Sequence, residues 1–107
     1  MDFEGGSVKV SELEGALLDY WVARAEGFTN TFEAFKDSPT PYSSKWEYGG
    51  LIIERERIDI NTTVDGWGAY CDINTRMPGS TALEAAMRAY VAWKFDDEVE
   101  GAPHEAG

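Results

Sequence analysis

The residue types that usually carry chemistry are scarce in this chain. There is one histidine, His104, and one cysteine, Cys71. A nucleophile paired with an imidazole base needs both groups on rigid elements, and His104 follows the last strongly hydrophobic stretch. The same shortage removes the common zinc patterns, which take their ligands from several Cys and His. Gly66-Trp67-Gly68 lacks the third glycine and following helix of a dinucleotide loop, and no phosphate-loop pattern occurs. Carboxylates are left. A pair such as Glu54 and Glu56 could serve a glycosidase-like reaction or hold Mg²⁺. With twenty acids in 107 residues, however, most carboxylates are solvated surface. The expectation is no catalytic residue, no metal and no cofactor, with a small carboxylate- or metal-dependent enzyme as the alternative.

A second kind of chemistry is contact. Pro41-Tyr42-Ser43-Ser44-Lys45-Trp46-Glu47-Tyr48-Gly49-Gly50 places two tyrosines and a tryptophan in a stretch punctuated by prolines and glycines. Amphipathic aromatics in loops are frequent interface residues. Tyr42, Ser43, Trp46 and Tyr48 are therefore the candidate partner-binding residues. The competing expectation is that Tyr42 and Trp46 fold back as lids on the core, leaving Tyr48 the more exposed.

Charge narrows the partners. Twenty acids face nine Lys and Arg, a formal net charge of −11 without a basic cluster, so direct nucleic-acid binding is not expected. Five acids (Asp96, Asp97, Glu98, Glu100 and Glu105) fall where no Lys or Arg occurs, and residues 96–107 read as an acidic tail. Residues 1–7, with Gly5 and Gly6, read as a flexible leader without the features of a signal peptide. No apolar run reaches the ~20 residues of a membrane span. A lone thiol suits a reducing compartment, so the expected location is cytoplasmic.

The elements that must position these residues are two helices and a hairpin. Ser11 and Glu14 have capping-box spacing at the start of a helix over residues 11–26, and Gly27 supplies its stop. Glu12, Asp19 and Glu26 recur every seven residues and predict one solvent-facing strip. Thr81 and Glu84 repeat the box for a helix over 81–95, in which Glu84 and Arg88 form an i,i+4 pair. Its Met87, Tyr90 and Trp93 read as core. Alternation in Ile58-Asp59-Ile60-Asn61-Thr62 and Trp67-Gly68-Ala69-Tyr70-Cys71, separated by Val64-Asp65-Gly66, predicts a β-hairpin over 58–72. Residues 51–57 fit either strand or helix, and Phe28, Phe32 and Phe35 fit neither period. The fold class is α+β: one domain over residues 8–95, two main helices on a small antiparallel sheet.

Three blocks also resemble a known family. They are Val10 to Gly27, the positions Tyr42-Ser43, Trp46, Gly49-Gly50 and Ile52 to Glu56, and Gly79 to Ala92. In this order they are similar to the NinX-like family of small phage and prophage proteins. Residues 28–40 diverge, and Ala82 stands where that family often has proline. A looser likeness to phage α-β-α sandwich domains implies a short helix over 51–57 and supports the hairpin. The resemblance implies a phage or prophage origin and brings no catalytic residues. Small size, acidity and this resemblance together imply a non-enzymatic accessory protein contacting a host or phage protein in the bacterial cytoplasm, with host modulation or anti-defence as its role. A minor structural phage protein is the further alternative, and a homodimer stays open.

Overall fold

In the computed structural model, which describes residues 7–101, the chain runs β1 (Ser7–Lys9), a single 3-10 turn (Val10–Glu12), α1 (Gly15–Ala25), α2 (Phe32–Asp37), α3 (Trp46–Glu56), β2 (Asp59–Thr62), β3 (Trp67–Tyr70), β4 (Met77–Gly79), α4 (Ala82–Lys94) and β5 (Glu98–Glu100). β2, β3 and β4 form one antiparallel sheet with β3 in the middle, and β1 pairs with β5 in a second, two-stranded sheet. The α+β class and the hairpin follow the sequence. In the hairpin Ile60 sits opposite Ala69 and Thr62 opposite Trp67. β4 is an addition: Pro78-Gly79 does not simply turn into the helix but pairs with Gly68 and Trp67. Pro78 is tolerated because β4 is an edge strand.

α4 lies across this sheet and forms the middle of the core. Ala85, Ala86 and Ala89 are fully buried beside Met87 and Tyr90. The backbone of Ala85 comes so close to Gly79 that a Cβ there would collide with it. Small side chains on the helix and none on the strand let the two backbones approach. Arg88, expected only to pair along the helix, is buried and holds three elements together. Its Nε donates to the Leu13 carbonyl and its Nη1 to the Pro78 carbonyl, each at 2.8 Å, while Nη2 lies 3.5 Å from Glu84. Trp93 is a correction: it is 44% exposed, outside the core that Met87 and Tyr90 share.

The first helix starts later than the capping-box reading placed it. Ser11 belongs to the 3-10 turn, and α1 opens on Gly15, where φ is +58°. Glu14 stands at the N-cap without a side-chain cap hydrogen bond. The Ser11–Glu14 pair therefore forms no capping box: Ser11 lies in the 3-10 turn, and the side chain of Glu14 caps nothing at the N-cap of α1. At the other end Gly27 (φ +112°) closes the helix, with Phe28 N–H donating to Ala23 O and Gly27 N–H to Arg24 O. Phe28 precedes α2 while Phe32 and Phe35 lie on it, so no single period fits all three. Their rings meet the buried Tyr20 edge-on at 6.3, 5.2 and 5.9 Å.

The boundaries assigned to the leader and tail also change. Val8 pairs with Val99, which is buried, and Lys9 lies opposite Glu98. Residues 98–100 are thus a strand of the fold, with Ser7 in its partner strand. The rest of the expected leader, and of the tail after residue 101, lies outside the described residues.

Candidate functional site

Residues 41–45 form a tight turn between α2 and α3, closed by Lys45 N–H donating to the Pro41 carbonyl at 3.0 Å. Asp19 holds this turn from α1. Its carboxylate accepts the Ser43 N–H at 2.8 Å across 24 residues of chain. Asp19 was expected on a solvent-facing strip, yet it is buried. The turn caps it, which sequence periodicity within one helix does not reveal. Burial pushes the Asp19 carboxyl above its ordinary value of 3.8, and hydrogen bonds from Ser43 offset part of that rise.

A second polar cluster gathers around Arg55 in the last turn of α3. The Arg55 guanidinium grips Glu26 with two hydrogen bonds, 3.1 and 2.7 Å, and reaches Glu56 at 2.7 Å through Nε. The Tyr90 hydroxyl donates to Glu26 and accepts from Arg55 Nη2 at 3.1 Å. α1, α3 and α4 are thereby tied at one point. The Arg55 contact holds the Glu26 carboxyl below its usual range despite partial burial. Tyr90, assigned only to the core from the sequence, supplies a polar link as well. Tyr42 is half-buried beside this cluster, and burial raises its hydroxyl pKa. Each group has a partner that fixes it, so the cluster braces the last turn of α3 against α1 and α4.

The exposed aromatic surface is the first two turns of α3. The segment from Trp46 is helix rather than loop, because Gly49 faces inward with the Tyr42 carbonyl and the Leu83 side chain pressed against it. Any side chain at 49 would displace the turn or Leu83. The lid expectation for Trp46 is therefore corrected: Trp46 is 56% exposed, more than Tyr48 at 40%. Its indole lies along Gly50, where a Cβ would stand 3.1 Å from the ring. Tyr42 and Tyr48 meet edge-on at 6.5 Å. Beside Trp46 a depression of about 240 Å³ is lined by Ser43, Ser44, Trp46, Thr81 and Leu83. Tyr42, Ser43, Trp46 and Tyr48 are all brought to this one region.

Sequence reasoning missed Leu51, which is 64% exposed on the same helix. Leu51 stands three residues after Tyr48 and four after Glu47, a helical neighbourhood visible only once 46–56 is known to be helix.

The sequence pattern of the family described as Bacteriophage P22, NinX matches residues 9–94. The chain belongs to that NinX family. It is accordingly a phage-associated protein. All the residues of the aromatic surface, and Asp19, Glu26, Arg55 and Tyr90, fall inside the NinX match, whereas β5 lies beyond it. No curated protein matches the chain.

Proposed function

We propose that this NinX-family protein is a non-enzymatic phage accessory factor that works through protein contacts in the cytoplasm of an infected or lysogenic bacterium. The observation that carries the reading is Trp46: a large aromatic, 56% exposed, held on a braced turn of helix. Exposing an indole has a hydrophobic cost, and a partner that covers it recovers that free energy. Contact anchors are enriched in Trp and Tyr because both bury a large area while few rotors are frozen. Asp19 supports the reading as a brace, since its bond to Ser43 fixes the turn from which α3 begins. The net charge of −11 supports protein rather than nucleic acid as the partner. Host modulation, including interference with host defence, is the role that fits a small acidic phage protein acting this way.

Pull-down from host lysate with wild type and Trp46→Ala tests this. The variant is expected to keep its melting temperature, because the indole is mostly outside the core, and to lose ~2 kcal/mol or more of partner binding. A folded Trp46→Ala protein that retains every wild-type partner at full affinity refutes the proposal.

A further inference from the structure

We propose that β2 is a dimerisation edge: two copies pair β2 antiparallel to β2 about a twofold axis at Asn61, joining their three-stranded sheets into one. The Thr63 N–H donates to the Gly66 carbonyl at 2.9 Å, in register with the Asn61–Gly68 and Asp59–Tyr70 pairs. Hydrogen-bonded pairs alternate along an antiparallel ladder, so the N–H and C=O of Ile60 and Thr62 point away from β3. Among the described residues only the Asn61 side chain reaches them, donating to the Thr62 carbonyl at 3.1 Å. On β4 the same alternation turns Pro78 outward, and that edge is closed. Proline has no N–H, and the Pro78 carbonyl is taken by Arg88. β1 and β5 are three-residue strands carrying Lys9, Glu98 and Glu100, short charged edges of the kind that resist pairing. β2 has no proline, lysine or bulge.

This edge is complementary to itself. With the axis at Asn61, Ile60 of each copy faces Thr62 of the other, and their outward N–H and C=O groups bond reciprocally. Asp59 falls against Thr63 of the second copy rather than against a like charge. Arg57 and Asp65 flank Asn61 at equal distances along the chain, so the antiparallel arrangement brings Arg57 of one copy to Asp65 of the other at both ends. Both are exposed, and among the described residues neither is in an ion pair. This match of opposite ends selects a second copy over an unrelated strand. The net charge of −11 opposes self-association, but screening at physiological salt limits its reach to about 8 Å. An edge this short buries less than the ~800 Å² per partner of a standard interface, so the dimer is weak and concentration-dependent. It uses no residue of the aromatic surface and stands apart from the contact role of Trp46.

Sedimentation equilibrium of the full-length protein at physiological salt should show monomer and dimer in exchange. By NMR, the Ile60 and Thr62 amides should gain protection from hydrogen exchange as concentration rises, while Asn61, bonded within the chain, is protected throughout. Thr62→Pro removes an N–H that the chain's own ladder does not use, so it should fold and sediment as a monomer. Arg57→Asp leaves the backbone donors in place and sets like charges together at both ends. It should weaken the dimer roughly 5-fold or more, and Arg57→Asp/Asp65→Arg should restore it. A monomer at every concentration up to millimolar overturns the proposal. So does a folded Thr62→Pro dimer, an Arg57→Asp variant that dimerises like wild type, or an exchanged charge pair that fails to recover. Protection of Ile60 and Thr62 only when host lysate is added gives the edge to another protein's strand and overturns it as well.

Discussion

Asp19 on α1 and Glu26 at its C-cap stand two helical turns apart and look equivalent in the sequence, yet their surroundings drive them in opposite directions. Asp19 loses water beneath the 41–45 turn and gains one backbone donor, so burial prevails and its pKa rises above 3.8. Glu26 keeps more solvent and gains Arg55 and Tyr90, so it falls below 4.5. The consequences for stability have opposite signs. Folding favours protonated Asp19; that contribution is complete below the ordinary value of 3.8 and is lost as pH rises through the higher folded value. Folding favours ionised Glu26; that contribution is present above the ordinary 4.5 and is lost as pH falls through the lower folded value. Carboxyl-carbon NMR titration should find Asp19 above 3.8 and Glu26 below 4.5. In Asp19→Asn the first pH dependence should vanish and the second remain. An Asp19 that titrates at or below its ordinary value would mean that the turn does not cover it.

At the scale of elements, two capping boxes with the same spacing have different fates. In α4 the Thr81 hydroxyl accepts the Glu84 N–H at 3.0 Å, and the Glu84 carboxylate accepts the Ser80 N–H at 2.8 Å. In the Ser11 segment the helix has not yet begun. Thr81→Ala should therefore cost ~0.5–2 kcal/mol, since it leaves a helix N–H without its acceptor. Ser11→Ala should stay within ~0.5 kcal/mol of wild type, as an ordinary surface change does. Chemical denaturation of the two single mutants decides it, and equal losses would place Ser11 back at a helix start. The lesson extends to α3. Gly49 and Gly50 read as loop punctuation, but one admits the Tyr42 carbonyl and the other admits the Trp46 ring, and both do so within a helix.

For the whole molecule, the pairing of β1 with β5 brings the two ends of the described chain together. Val10 N–H donates to the Asp97 carbonyl at 2.8 Å, and Val99 is buried. Removing residues 96–107 should therefore lower stability by on the order of 2 kcal/mol, from the loss of a buried valine and its strand pairing. Thermal melts of the truncated chain give the answer. An unchanged melting temperature would show that β5 contributes nothing and that an acidic tail begins at 96 after all.

By itself the sequence determined what depends on near neighbours: the Thr81 cap, the Gly27 stop, the alternating hairpin and the family. It also drew attention to Tyr42, Ser43, Trp46 and Tyr48, because aromatics crowded between prolines and glycines are unusual whatever the fold. Tertiary structure alone decided which way those side chains face. A glycine carries no record of what will press against it, so Gly49 showed the site of the turn contact only after α3 met Tyr42 and Leu83. The same holds for Asp19, Arg55 and Arg88, whose partners lie 24, 29 and 75 residues away. Periodicity reports the face a residue takes on its own element, while burial depends on what another part of the chain lays over that face.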